Sequence, residues 1–170
     1  MKLVADPLLV NSLATEKGKD NDLFFGYLKA RWRNREIDHV AHLLNDEISK
    51  AIDCTQCGNC CKVLNAAMDK EEMQRLAPHL SLSPEKFSHD YLSHDEIEDV
   101  YYIKTPPCVF LKDTKCCVYQ QRPLSCAGYP HLDKPNFIYR TKNTAANYSC
   151  CPIVFNVVER LKLHFGYAKP

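Results

Sequence analysis

The chain has 170 residues, of which 45% are hydrophobic and 25% charged, and 22 lysines and arginines balance 21 acidic residues. This composition fits one globular domain and excludes a disordered chain. A net charge of +1 favours neither nucleic acid nor a membrane surface as a partner, and no apolar stretch approaches the roughly 20 residues that cross a bilayer.

The N-terminal segment, residues 1–52, is predicted to be helical. Asp6-Pro7 favours a helix start and predicts a helix over 7–14, followed by a polar connection over 15–22. A longer helical pattern, broken at most once, covers 22–52, because apolar residues recur there at three- and four-residue spacing. The first residues lack the long apolar region of a signal peptide, so we expect a cytoplasmic protein.

The next segment, 53–152, contains all ten cysteines and is predicted to be the core of a single domain spanning 1–170. Asp69 and Glu72 form a capping-box pattern, which predicts a helix that ends near Pro78. Ser83-Pro84 predicts another short helix, and the acidic residues 93–99 are interpreted as a solvated connection.

The predicted strands are short. Residues 100–103, 108–111 and 116–119 are β-prone, with a turn at 112–115, and together they predict a short antiparallel hairpin within about 100–119. A further strand is predicted over 137–140. The last segment, 153–170, shows helical periodicity and is predicted to be a C-terminal helix that begins near Pro152. The expected fold is therefore α+β, mainly helical, and small, with a cysteine-rich, metal-centred core.

The cysteines are grouped, and four of them occur within eight positions, in Cys54-Thr-Gln-Cys57-Gly-Asn-Cys60-Cys61. In a reducing cytosol such clusters more often bind metal than form disulfides, and a framework of five disulfides is the alternative. Thiolates are soft ligands that select zinc, copper(I) or iron–sulfur clusters.

Two metal assignments use these cysteines differently. In the first, Cys54-x2-Cys57-x2-Cys60 has the spacing that holds three corners of a four-iron, four-sulfur cluster, and Cys151-Pro152 resembles the Cys-Pro dipeptide of the fourth ligand. In the second, one Cys-x2-Cys pair binds zinc together with remote thiolates such as Cys116 and Cys126.

The number of thiols exceeds one four-coordinate site. One division would leave Cys61 free to form a second site with Cys108, Cys116 and Cys126. Two residues close to the cysteines in the sequence are also expected to contribute to the site. The backbone at Gly58, which has no Cβ, is expected to approach the sulfurs. Arg122 is expected to face the cluster sulfurs or an anionic substrate, or else to pair with a nearby acid or backbone carbonyl.

The motifs from residue 54 onward resemble those of the CxxCxxCC cysteine-cluster proteins, the YkgJ-like group of zinc- or iron-chelating domains. The residues that carry the resemblance are Cys54–Cys61, Cys108-Val-Phe-Leu111, Cys116-Cys-Val-Tyr119, Arg122-Pro123, Cys126, Tyr129-Pro130 and Cys151-Pro152. The metal-ligand set that this resemblance implies is Cys54, Cys57, Cys60, Cys61, Cys108, Cys116, Cys126 and Cys151. Where the family often has Arg after the cysteine matched to Cys126, this chain has Ala127.

The resemblance also implies a function. It favours a metal-chelating protein that binds a four-iron, four-sulfur cluster and has a redox, electron-transfer or accessory role, with an unidentified redox or protein partner. A zinc-stabilised binding module without catalysis is the alternative. A related domain in lysine N-methylases of flagellin adds protein-lysine methyl transfer as a second alternative, although no Gly-rich nucleotide motif supports it.

Overall fold

The computed structural model describes residues 2–168. Its α-helices are α1 (Pro7–Lys17), α2 (Asn21–Arg31), α3 (Asn34–Ala51), α4 (Cys54–Cys57), α5 (Asn59–Val63), α6 (Lys70–His79), α7 (Pro84–Tyr91), α8 (Leu124–Ala127), α9 (Thr141–Tyr148) and α10 (Pro152–His164). Its strands are β1 (Ala67–Met68), β2 (Leu92–Asp95), β3 (Val100–Ile103), β4 (Leu111–Lys112) and β5 (Lys115–Cys116). Short 3-10 helices cover Gly18–Asp20, Tyr119–Gln121 and Phe137–Tyr139.

The fold is α+β and mainly helical, as predicted. The chain divides into two compact units: the first contains the residues up to Cys57 and from Pro130 onward, and the second is Gly58–Tyr129. The prediction of one domain over 1–170 stays a prediction. No helix among residues 2–168 is long and apolar enough to cross a membrane.

The first unit is a helical assembly in which α10 packs against α1, α3 and α9. Helix α10 begins at Pro152, as predicted, and nearly all of its first ten residues are buried. It ends at His164, earlier than the predicted segment 153–170, whose residues 169–170 lie outside the described part. Helix α3 contributes Ile37, Ala41 and Ile48 to the same core.

A buried carboxylate stabilises this unit. Glu159 is 8% exposed and accepts hydrogen bonds from the Tyr148 hydroxyl at 2.8 Å, from Lys162 at 2.8 Å and from Lys17 at 3.0 Å. Burial alone would raise the pKa of Glu159, but these donors outweigh it and lower the pKa. The group is therefore ionised and fully partnered, as a buried charge must be.

The second unit contains the sheet. Strand β3 pairs antiparallel with β1 on one side and with β2 on the other, with Met68 opposite Tyr101 and Leu92 opposite Ile103. Helix α6 packs against β3 and α7. The core beneath them consists of Met68, Met73, Leu76, Ala77, Phe87, Leu92, Ile103, Phe110 and Val118. Strands β4 and β5 form a separate two-stranded hairpin.

The cap at the start of α6 is the one that the sequence predicts. Asp69 accepts the N–H of Glu72 at 2.8 Å, and Glu72 accepts the N–H of Asp69 at 3.0 Å. The helix continues through Pro78 to His79. Pro78 has no N–H to donate to the carbonyl of Gln74, so the last turn lacks one i→i−4 hydrogen bond, and the helix ends one residue later, close to the predicted end.

Three local predictions were wrong. Residues 15–22 form the end of α1, a 3-10 turn and the start of α2 instead of a polar connection. Residues 93–95 belong to strand β2, which pairs with β3. The strand predicted over 137–140 is a 3-10 turn, because Asp38 accepts the backbone N–H groups of Asn136 and Phe137, both at 2.8 Å.

Candidate metal centre

Six of the ten cysteines lie in the second unit: Cys60, Cys61, Cys108, Cys116, Cys117 and Cys126. Every cysteine of the chain is present as a thiol, so the alternative of five disulfides does not describe this structure. Five of the six are half-buried, and Cys117 is exposed. Three separate segments bring them together, and each segment is held by its own set of backbone contacts.

The first segment is α5, which contains Cys60 and Cys61. It begins at Gly58, which has φ +59°, a left-handed conformation that glycine adopts without strain. A Cβ at Gly58 would lie 2.8 Å from the carbonyl oxygen of Thr114 and 2.9 Å from its Cα. Gly58 therefore lets the start of α5 lie against the turn of the β4–β5 hairpin. The close approach observed at Gly58 is to the backbone of Thr114, whereas the sequence predicted an approach to the cysteine sulfurs.

The second segment connects Cys108 to α5. The N–H of Cys108 donates to the carbonyl of Cys61 at 2.7 Å, and the carbonyl of Cys108 accepts the N–H of Leu111 at 2.9 Å. The second bond closes a tight turn directly before β4, and the first ties that turn to α5. The Sγ atoms of the neighbours Cys60 and Cys61 are 3.9 Å apart.

The β4–β5 hairpin places Cys116 opposite Leu111. It is shorter than the hairpin predicted from the sequence, since only two residues pair on each strand. A two-residue pairing has little stability of its own, so it depends on packing. Cys108 and Cys116 both pack against the hydrophobic core, and Cys117 donates its N–H to Phe110 at 2.9 Å while its side chain stays exposed.

The third segment is α8, the single helical turn that contains Cys126. Its first N–H, at Leu124, donates to Glu72 at 2.6 Å, and the hydroxyl of Ser125 donates to the carbonyl of Ala67 in β1. Glu72 thus caps two helices, its own and α8. These bonds fix the turn, and with it Cys126, to α6 and the sheet.

The four thiols of Cys61, Cys108, Cys116 and Cys126 interact electrostatically, and we call them the thiol set. Burial raises the pKa of Cys126 to about 11, and the charges of the other three members add to the increase. Burial also raises the pKa of Cys108 and of Cys116, and in each case the charges of Cys61 and of the exposed Cys117 contribute. The bond from Cys108 to Cys61 and the pairing of Cys116 with Leu111 place three of these residues in neighbouring segments.

Cys61 differs from the other members. The hydrogen bond from the Cys60 thiol lowers its pKa to about 7, against the opposing effect of burial. It is consequently the member of the thiol set that ionises most easily. A thiolate is the form of cysteine that binds metal.

Arg122 lies beside this group. Its guanidinium stacks on the ring of Tyr119 at 3.7 Å and donates to the Tyr119 carbonyl at 2.5 Å. The sequence left open whether Arg122 faces the cluster or pairs with an acid or a carbonyl, and the structure shows the bond to a carbonyl. The positive charge of Arg122 nevertheless acts on Cys116, whose pKa it lowers against the effect of burial.

Across residues 2–168, no three His, Cys, Asp or Glu side chains stand in an arrangement that would already hold a metal ion. The thiol set is therefore a group of candidate ligands and not a finished coordination shell. The chemistry of the set fits a thiophilic metal, because its members are four sulfurs.

The remaining predicted ligands, Cys54, Cys57 and Cys151, belong to the first unit. Cys54 is exposed and Cys57 half-buried in α4, whose start is capped by Asp53, which accepts the N–H of Thr55 at 2.9 Å. Cys151 is buried and forms the N-cap of α10. Their participation in a cluster with Cys60 stays a prediction.

Sequence reasoning did not identify Glu72, Ser125 and Thr114 as contributors to this region. Glu72 was visible only as part of a capping box, and its second bond reaches a residue 52 positions later. Nothing local in the sequence indicates such a bond.

The fold and the thiol set together define a cysteine-rich protein with a half-buried group of soft candidate ligands. Residues 53–152 match the model of the family CxxCxxCC, described as a "putative zinc- or iron-chelating domain". The chain belongs to this family, as the motifs indicated, and the family supports metal chelation in general. No curated protein and no solved structure matches the chain.

Proposed function

We propose that the thiol set, Cys61, Cys108, Cys116 and Cys126, holds an iron–sulfur cluster through which the protein passes electrons to a protein partner. The observation that carries this proposal is that these four half-buried thiols belong to one small unit, in which a backbone bond joins Cys108 to Cys61. Four thiolates are the usual ligand set of such a cluster. When bound, a cluster of this kind supplies one-electron transfer.

The position of the thiols supports a redox role over a purely structural one. Cys61, Cys108 and Cys116 are half-buried, so that a group bound to them would lie near the surface of the unit. Arg122 adds a positive charge beside Cys116, which offsets the negative charge of the thiolates.

The surroundings of the thiols also support a protein partner. Val63, Val109 and Leu124 are 48%, 51% and 67% exposed, and each lies within two residues of a member of the thiol set. Exposed apolar side chains mark protein contact sites where they form one continuous patch, and the proposal requires that these three do so. The net charge of +1 implies that such docking depends little on long-range attraction.

The decisive experiment is metal and sulfide analysis of protein purified without oxygen, together with its visible spectrum. Iron with acid-labile sulfide, and colour that bleaches on addition of dithionite, would support the proposal. Colourless protein with stoichiometric zinc would overturn it and favour the zinc-stabilised binding module.

The adjacent cysteines at the end of the hairpin provide a matched pair of variants. Cys116→Ser removes a member of the thiol set and should lose most of the bound metal, because ligation and folding are coupled in small metal sites. Cys117→Ser changes an exposed neighbour and should retain it. Full metal content in Cys116→Ser, measured by the same elemental analysis, would show that the thiol set is assigned wrongly.

A further inference from the structure

A cleft of about 440 Å³ lies in the first unit, where the start of α3 faces the end of α10. Its apolar wall consists of Trp32, Val40 and Phe165. The rings of Trp32 and Phe165 are 4.9 Å apart, and the ring of His164 packs edge-on against Phe165, also at 4.9 Å. Phe165 is buried, but Trp32 is 40% exposed, so an aromatic surface remains open to a ligand.

The polar wall comes from the first turns of α3. Arg35 and His39 both line the cleft and lie four residues apart, on the same side of the helix. Both are exposed. Within residues 2–168, Arg35 forms no ion pair with an acidic side chain. Its guanidinium therefore keeps its capacity for a bidentate bond to an anion.

The acidic residues nearest to Arg35 in α3 are occupied elsewhere. Glu36 accepts the N–H of Arg33 at 3.0 Å as part of the helix cap, and Asp38 accepts two backbone N–H groups. Glu36 also lines the cleft, and its charge would repel an anion placed next to it. A bound anion would thus be directed toward Arg35 and the imidazoles of His39 and His164.

We propose that this cleft binds a small aromatic anion, with its flat ring against the exposed indole of Trp32 and its carboxylate or phosphate at Arg35. The volume lies within the range of small-molecule sites, which combine an apolar wall with a few polar groups. Aromatic stacking and an arginine–anion bond supply the two interactions that such a ligand requires. This site is separate from the proposed redox function and does not depend on it.

The chain offers a specific reporter, because Trp32 is its only tryptophan. Quenching of tryptophan fluorescence and calorimetry should be followed with three nitroaromatic probes: 4-nitrobenzoate, 4-nitrophenyl phosphate and the neutral 4-nitrobenzamide. We expect saturable binding of at least one anion, at least tenfold tighter than that of the amide. The carboxylate and phosphate probes distinguish which anionic group the site prefers.

Variants locate the binding. Arg35→Gln should reduce the preference for the anion over the amide to less than twofold. Lys50→Gln removes one positive charge from the same helix, about 22 Å along its axis, and should keep the preference. Trp32→Ala, followed by calorimetry, should weaken all three probes. Absence of saturable binding, equal binding of the amide, or an unchanged preference in Arg35→Gln would each overturn the proposal.

Discussion

Replacement of Gly58 by alanine tests the contact that brings α5 against the β4–β5 hairpin. At φ +59° an alanine costs about 1–2 kcal/mol, because its Cβ crowds the backbone. The new Cβ would also lie 2.8 Å from the carbonyl oxygen of Thr114, which cannot rotate away as a side chain does, and such overpacking costs about 1–3 kcal/mol. The free energy of unfolding should therefore fall by about 2–5 kcal/mol, a large share of a typical domain's stability.

Two other glycines separate these contributions. Gly166 has φ +63°, but a methyl group added there would have nothing within 4 Å, so Gly166→Ala should lose only the conformational part, about 1–2 kcal/mol. Gly26 lies inside α2 and is equally open, so Gly26→Ala should gain about 0.5–1 kcal/mol. Urea unfolding followed by circular dichroism, with separate transitions fitted where the two units unfold separately, measures all three. A loss in Gly58→Ala no larger than in Gly166→Ala would refute the close approach to Thr114.

The bonds around the thiols and around the buried carboxylate give three more expected results. Glu72→Ala removes the carboxylate that accepts the N–H of Leu124 and fixes α8, so Cys126 should become more accessible. Iodoacetamide should then alkylate Cys126 about tenfold faster, which corresponds to about 1.4 kcal/mol. The control variant Glu71→Ala, at an exposed neighbouring position, should leave the rate unchanged. In metal-free protein, alkylation resolved by mass spectrometry should have its midpoint near pH 7 for Cys61 and near pH 11 for Cys126; equal midpoints would contradict the different environments. Because folding lowers the pKa of Cys61, its contribution to the free energy of unfolding is complete above the ordinary pKa of 9.0 and is lost as the pH falls to about 7. Because folding raises the pKa of Cys126, its contribution is complete below 9.0 and is lost as the pH rises to about 11. Glu159→Ala should lower the free energy of unfolding by about 3 kcal/mol, because Lys17, Lys162 and Tyr148 lose a buried acceptor. A loss below about 1 kcal/mol, measured by urea unfolding, would show that water reaches the site.

The helices were the part of the fold that the sequence predicted best. Helices α3 and α10 have long apolar stripes, and α6 and α7 begin at capping residues, so each is specified by residues within a few positions of one another. The wrong predictions concern segments whose structure depends on residues far away in the sequence. Strand β2 exists because it pairs with β3, and the turn at 137–139 exists because Asp38, almost 100 positions away, binds its backbone. Distant partners override weak local preferences.

The same division holds for the candidate site. The sequence by itself determined the chemistry: cysteines in a recognisable spacing supply soft ligands, and side-chain identity is a local property. It also suggested that Cys61 could join Cys108, Cys116 and Cys126, but only as one of several divisions. The tertiary structure decided that these four residues belong to one unit, through the contact at Gly58, the bond from Cys108 to Cys61 and the bond from Leu124 in α8 to Glu72. Those contacts join residues far apart in the chain, and their partners are chosen by packing and hydrogen-bond geometry that local sequence preferences do not contain.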